Sequence, residues 1–359
     1  MAEKNNNLTQ KIYNLIAENG PISIAQFMQL TLFEPNYGYY NLKNPFGESG
    51  DFITSPEISQ IFTEIIASYA IYNWQKLGKP KSFQIIELGS GNGTLINDFL
   101  LVAQKHTDFY KAISIHLVEA SDRLKKIQKN LLNKYSVSIK HYSYFSQIPH
   151  AQSFIIANEF FDCLPIYQFI YQNEQWYERM VGITANKLSF IAVKCGIQAN
   201  NIVSLIQEPY PPKNGDIYEI SPISINIMDE ICNYLNKTNS MAIFIDYGYI
   251  KKAYGDSLQA IKKHQYHPIL EQIGMADLTI HVDFASFVQI INKHPKLKYI
   301  LTNQREFLIS HGILQRTEQL MQVNQETSSK KVVQATNRLI DKRQMGELFK
   351  VLVVNKEIN

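Results

Sequence analysis

The stretch IIELGSGNGT, residues 85–94, decides how the rest of the chain is read. An apolar run ends at Glu87-Leu88, and Gly89, Gly91 and Gly93 then fall at every second position. A strand that enters a helix through glycines is the geometry of a nucleotide loop, because glycine takes positive φ and lets a ligand approach the main chain. The dinucleotide fingerprint Gly-x-Gly-x-x-Gly requires a glycine where this chain has Thr94. The loop is therefore nucleotide-like without matching the NAD pattern, which disfavours a nicotinamide oxidoreductase. The bland alternative is a tight turn that holds nothing; three alternating glycines behind an acid speak against it.

Outward from the loop, strand and helix patterns alternate. Residues 83–88 form a short apolar strand, and a helix runs from Thr94 to about 105. SIHLVEA (114–120) is a second strand, and Ser121-Asp122 caps a helix to about 134. SFIIAN (153–158) is the third clear strand, MAIFIDYG (241–248) a later one after a helix at 222–237, and ELFKVLVVN a closing strand. This order predicts an α/β fold, a doubly wound Rossmann-like sheet with helices on its faces. Upstream, residues 8–33 read as two helices broken at Asn19-Gly20-Pro21, the second capped by Ser23, and a helix follows over 57–76. Residues 34–58 are rich in Pro, Gly, Asn and Tyr and too long for a simple connector, which marks a functional loop. Residues 166–194 alternate, with breaks at Asn173-Glu174 and Ala185-Asn186, and read as an antiparallel insertion whose edge would support a homodimer. Residues 283–294 and 305–325 read as helical. The expected organisation is an N-terminal helical cap and lid over 1–78, then a domain over 79–359 with insertions at about 166–194 and 250–300.

Composition bounds the function. A chain of 359 residues with 45% hydrophobic and 19% charged residues has a sizeable core, and its net charge of +3 gives no case for nucleic acid. Arg123, Lys125, Lys126 and Lys129 lie around a helix face that solvation explains. Cys163, Cys195 and Cys232 are scattered and read as buried thiols in a reducing compartment. His264 and His267 lack a third ligand, so no metal site is expected. No apolar run approaches the roughly 18–20 residues of a membrane span. The start, MAEKNNNLTQ, is neither a secretory signal nor an Arg-rich import leader.

Two acids refine the ligand. Glu87 stands just before the glycines, where a diphosphate is repelled and an amine attracted. Glu119 ends the second strand, where a carboxylate accepts from both hydroxyls of a ribose. Adenine, ribose and a cationic amine without a diphosphate describe S-adenosylmethionine. Glu87, Gly89, Ser90, Gly91, Gly93 and Glu119 are its candidate ligands, with Asn158 at the end of the third clear strand.

ELGSGNG is similar to motif I of the class I S-adenosylmethionine-dependent methyltransferases, and the whole chain resembles the MidA family within them. The matching stretches are FMQLTLFEPNYGYY, GDFITSPEISQIFTEIIA, IIELGSGNGTL, ANEFFDCLPIYQF, EISP, IDYGY, ADLTIHVDFASF and RQMGELFKVL, from about residue 20 to 353. The resemblance implies methylation of a protein arginine; the best-known member acts on a core subunit of respiratory complex I and is needed for its assembly. It also implies that GDFITSPEIS (50–59) folds over the cofactor, which assigns Phe52, Thr54, Ser55 and Glu57 to the pocket. Against that stands a helix start, with Pro56 at the first position and an acid in the first turn. The start of the chain points to a bacterial, cytoplasmic member.

Arginine methylation directs attention to Asn158-Glu159-Phe160-Phe161-Asp162. A guanidinium is protonated in water, and a carboxylate accepting two hydrogen bonds concentrates charge on the remaining nitrogen. Glu159 is the expected clamp and Asp162 its support, provided a helical turn puts both on one face. Phe160 or Phe161 would stack on the cation, and Tyr247 would sit at the substrate mouth. Core phenylalanines and a turn-capping Asp162 are the structural alternatives. A lysine substrate would need a deprotonated amine, which paired acids oppose. A chaperone that binds a complex I subunit, with the cofactor only stabilising it, is the reading from another class.

Overall fold

The computed structural model describes residues 2–42, 54–323 and 326–356. The chain folds into two compact units, each assembled from separated segments. One contains residues 2–42, Asp162–Asn226 and Tyr249–Ala285; the other contains residues 54–161, Ile227–Gly248 and residues from Ser286 onward. The helix Gln60–Lys76 packs with the helix Thr94–Ala103 in the second unit.

The second unit is built on seven strands among the described residues: β1 (Phe83–Leu88), β2 (Ile113–Val118), β3 (Ile139–Tyr142), β4 (Ser153–Asn158), β5 (Met241–Tyr249), β6 (Leu297–Asn303) and β7 (Phe349–Lys356). Their order is β3-β2-β1-β4-β5-β7-β6. The first five are parallel, and β7 runs antiparallel to both β5 and β6. This is the doubly wound α/β fold expected. The strand 153–158 is the fourth, not the third, because β3 had no legible signal: IKHY carries two polar residues in four and is only partly buried.

The sheet is buried on both faces, as parallel sheets with helices on either side must be. Phe83, Ile85, Ile115, Leu117, Phe154, Ile156, Ile243, Ile245, Val351 and Val353 pack on one side against Phe62, Ile66, Phe99 and Leu100. Ile86, Ile155, Phe244 and Leu352, the alternate positions, are buried as well. Each such side chain contributes about 1.5–3 kcal/mol on leaving water, and the rigidity of this slab fixes the loops at its carboxyl edge.

The expected helix at 57–76 is two helices, Ser55–Ile58 and Gln60–Lys76, because Ser59 is extended (φ −157°) and caps the second through Ile61 N–H. The region 305–325 is also divided, into Gln304–Ser310 and Ile313–Val323, at left-handed Gly312. A further helix spans Glu326–Ile340.

The first unit carries the helices Ala2–Asn19 and Ile24–Phe33, the second capped by Ser23 Oγ accepting from Gln26 N–H at 3.0 Å, as expected. Leu8, Ile12, Phe27, Met28 and Leu32 pack with Ile166, Val181 and Leu278. The expected antiparallel insertion is present as Tyr167–Gln172, Gln175–Thr184 and Lys187–Lys194. Ile22–Ser23 and Ile217–Ile220 join it in a five-stranded sheet. Both hairpin breaks fall on left-handed pairs, Asn173/Glu174 and Ala185/Asn186, the φ pattern of a type I′ turn. Cys232 is buried, whereas Cys163 and Cys195 are only half-buried. Among the described residues, no helix is long and apolar enough to cross a membrane, and no cluster of three His, Cys, Asp or Glu side chains has metal-binding geometry.

Candidate active site

The topology creates the site. From β1 the chain winds outward through β2 and β3, then returns to β4 on the other side of β1 and continues to β5. The crevice beyond the carboxyl ends of β1 and β4 is thus a topological switch point, where open α/β sheets bind ligands.

The glycine loop opens from β1. Gly89, Gly91 and Gly93 all have positive φ, at 67°, 52° and 85°. Gly93 caps the helix Thr94–Ala103 in the left-handed region. A Cβ on Gly89 would lie 2.7 Å from Cδ2 of Phe160, so the glycine is required both by its φ and by that ring.

Glu87 and Glu119 flank this loop. Glu87 is 4% exposed, and burial pushes its carboxyl up to about 8, with Glu119 nearby adding to the effect. Glu119, at the end of β2, is also buried and raised for the same first reason, desolvation. Its Oε1 accepts from Ser121 N–H at 2.9 Å and its Oε2 from Gln128 Nε2 at 3.3 Å. Gln128, fully buried, also donates to the Gly91 carbonyl at 2.8 Å and so couples the acid to the loop. The sequence reading missed Gln128. Its only signal was a polar residue among the apolar positions Leu124, Leu131 and Leu132 of an amphipathic helix.

Glu159 follows β4 directly. Its φ is 50°, uncommon for a residue with a side chain. Its N–H donates to the Ile245 carbonyl at 2.8 Å, and its Oε1 accepts from Ser55 N–H at 2.8 Å and Asn158 Nδ2 at 3.2 Å. The segment after Asn158 is a bend and a turn, not a helical turn. The shared-face argument for Glu159 and Asp162 therefore does not hold, because a left-handed residue at 159 reverses the chain. Asp162 belongs to the other compact unit, where its carbonyl accepts from Ile280 N–H at 2.9 Å.

The two phenylalanines divide. Phe160 lies over Gly89, whereas Phe161 is 2% exposed and packs on Phe244 and Phe287, a core residue. Tyr247 is buried in β5 with its ring edge-on to Phe349, within the core and not at a mouth. Thr54 and Glu57 bracket the start of the helix Ser55–Ile58, where Glu57 Oε2 accepts from Thr54 N–H at 3.2 Å. That is the helix-start role Pro56 suggested. Ser55 is nevertheless fully buried and its main chain reaches Glu159. Phe52 and the preceding part of the expected lid lie outside the described residues.

Several buried polar atoms at this edge make no hydrogen bond of good geometry among the described residues: Asn92 Oδ1, Asn158 Oδ1, Ser55 Oγ, and Glu87 Oε2 and Ser90 Oγ, which face each other and interact only weakly. Leaving such a group unpaired costs about 1–3 kcal/mol. Five of them around one switch point fit a polar ligand that brings donors: an amine for Glu87 and hydroxyl or amino groups for the rest.

Residues 65–301 match a family model of S-adenosyl-L-methionine-dependent methyltransferases. The chain belongs to this family. The methyltransferase is 32% identical to the mitochondrial protein arginine methyltransferase NDUFAF7 of Xenopus tropicalis over 365 residues, covering 94% of this chain and 83% of the relative. It is also 32% identical to the Homo sapiens protein of that name, covering 93% and 80%. A methyl transferase superfamily member from Burkholderia thailandensis, solved with S-adenosyl-homocysteine, has the same fold: TM-score 0.82 at 21% identity, covering 99% of this chain and 94% of that one. The enzyme's cofactor is S-adenosylmethionine, as the family's chemistry defines and the donor-seeking edge of β1 and β4 fits.

Proposed function

We propose that this methyltransferase modifies an arginine of a protein, and that its substrate is a core subunit of respiratory complex I during assembly. The observation that carries the arginine is Glu159, a carboxylate held in a left-handed conformation beside the glycine loop. The similarity to protein arginine methyltransferases over nearly the whole chain supports it; the complex I subunit follows from the MidA resemblance.

S-adenosylmethionine supplies a methyl group on a sulfonium. Glu87 is assigned to its amine, Glu119 to its ribose hydroxyls, and Gly89, Ser90, Gly91, Gly93 and Asn158 to the main-chain and amide contacts. Ser55 and Thr54 close that edge. Glu159 would receive the guanidinium and leave electron density on the nitrogen that attacks; as that nitrogen takes the methyl and the methyl–sulfur bond breaks, one of its protons is lost to solvent. Fixing both partners converts a bimolecular encounter into an intramolecular one, the main source of rate here. A lysine ammonium is a poorer fit, since a carboxylate receiving it would hold it protonated.

The test uses an extract from cells lacking this chain as substrate, with tritiated S-adenosylmethionine. Acid hydrolysis should recover the label as methylarginine in one main protein band, and Glu159→Gln should abolish it while retaining cofactor binding by calorimetry. Label in methyllysine, or full activity in Glu159→Gln, would overturn the reading.

A further inference from the structure

We infer that Asp246 is a positioning residue for this reaction, the side chain that holds the acidic turn after β4 in its strained form. The inference rests on the role given to Glu159 above. Asp246 lies near the end of β5, 1% exposed, opposite Lys350 in the β5/β7 ladder. Its Oδ2 accepts from Phe161 N–H at 3.1 Å, and its Oδ1 accepts from Tyr247 N–H at 3.0 Å.

The geometry explains how a left-handed glutamate is kept. A residue with a Cβ in that region costs about 1–2 kcal/mol, so something must bind the turn on both sides. On one side Glu159 N–H extends the β4/β5 ladder onto the Ile245 carbonyl. On the other, the Asp246 carboxylate takes Phe161 N–H. Two consecutive residues of β5 therefore grip residues 159 and 161, and the residue between them, Phe160, is thrown onto Gly89. The first grip is main chain and survives any substitution. The second depends on a carboxylate that accepts two N–H donors at once. An amide has one acceptor oxygen and must present its NH₂ to one of those donors. Asp246 thus acts through the turn and sets where the Glu159 carboxylate stands.

The experiment compares wild type, Asp246→Asn, Glu159→Asp and the double variant in the extract assay at saturating S-adenosylmethionine, with cofactor Kd and melting temperature measured for each. Asp246→Asn should lower the methylation rate about 10- to 100-fold, the scale expected of a misplacement near 1 Å, with cofactor Kd unchanged within about threefold. In the Glu159→Asp background, where the carboxylate is already displaced, the same change should cost much less than in wild type, since residues acting as one unit are not additive. Full activity in Asp246→Asn, or equal losses in both backgrounds, would overturn the inference. If Glu159→Asp and Glu159→Gln both retain wild-type rates, it is the role of Glu159 that fails. Should Asp246→Asn not fold, hydrogen exchange on the wild type decides: the Phe161 amide should be strongly protected, and exchange at the rate of an unstructured peptide would refute the bond.

Discussion

Replacing Glu87 by Gln separates the cost of burying an acid from its use. In the ligand-free protein the carboxyl sits at about 8 against an ordinary value of 4.5, because burial disfavours its charge. The folded state therefore binds the proton more tightly than the unfolded state, and between these values it holds more protons. Stability falls as pH rises through that window and levels off above about 8. At about 1.36 kcal/mol per pH unit the interval is worth about 5 kcal/mol. Glu87→Gln keeps the shape and cannot ionise. Near pH 5 the two proteins should be of similar stability; near pH 8.5 the variant should be more stable by several kcal/mol. Urea unfolding at both pH values measures this. The opposite holds for binding: a cationic amine favours the ionised acid, so cofactor binding near pH 7 should release close to one proton. Calorimetry in two buffers of different ionisation enthalpy reads that release, which Glu87→Gln should lose together with most of the affinity. A variant that keeps the wild-type pH slope, or a wild type that binds without proton release, would refute the reasoning.

Gly89→Ala places a methyl 2.7 Å from the Phe160 ring at a φ of 67°; calorimetry should show at least about a tenfold loss of cofactor affinity, about 1.4 kcal/mol. Glu174→Gly removes a Cβ from a left-handed hairpin position (φ 60°) and should stabilise the protein by about 1 kcal/mol in urea unfolding. Arg316→Ala breaks the paired contacts of its guanidinium with Glu64, at 2.6 and 3.1 Å, which join the helix Ile313–Val323 to Gln60–Lys76; the midpoint of unfolding should drop by the equivalent of about 2 kcal/mol.

What the sequence determined by itself is local. Glycines alternating behind an apolar run force a loop of positive φ, and Ser23 and Ser121 cap helices because their hydroxyls reach N–H groups three residues ahead. The alternation of 167–194 makes hairpins wherever two residues can turn left-handed. Those signals lie within a few residues of one another, and they sufficed for the doubly wound class and for the ligand's chemistry. Tertiary structure alone decided what depends on strands distant in sequence. β3 was invisible because its partly exposed residues show no pattern; only the free edge of β2 makes it a strand. A helical turn would have put Glu159 and Asp162 on one face, and β5 instead holds the segment in a left-handed turn through Ile245 and Asp246, some 85 positions away. Gln128 belongs to no motif, and only the packing of its helix turns it toward Gly91 and Glu119. Hydrogen bonds and burial are set by neighbours in space, and a sequence read along its length shows neighbours in order.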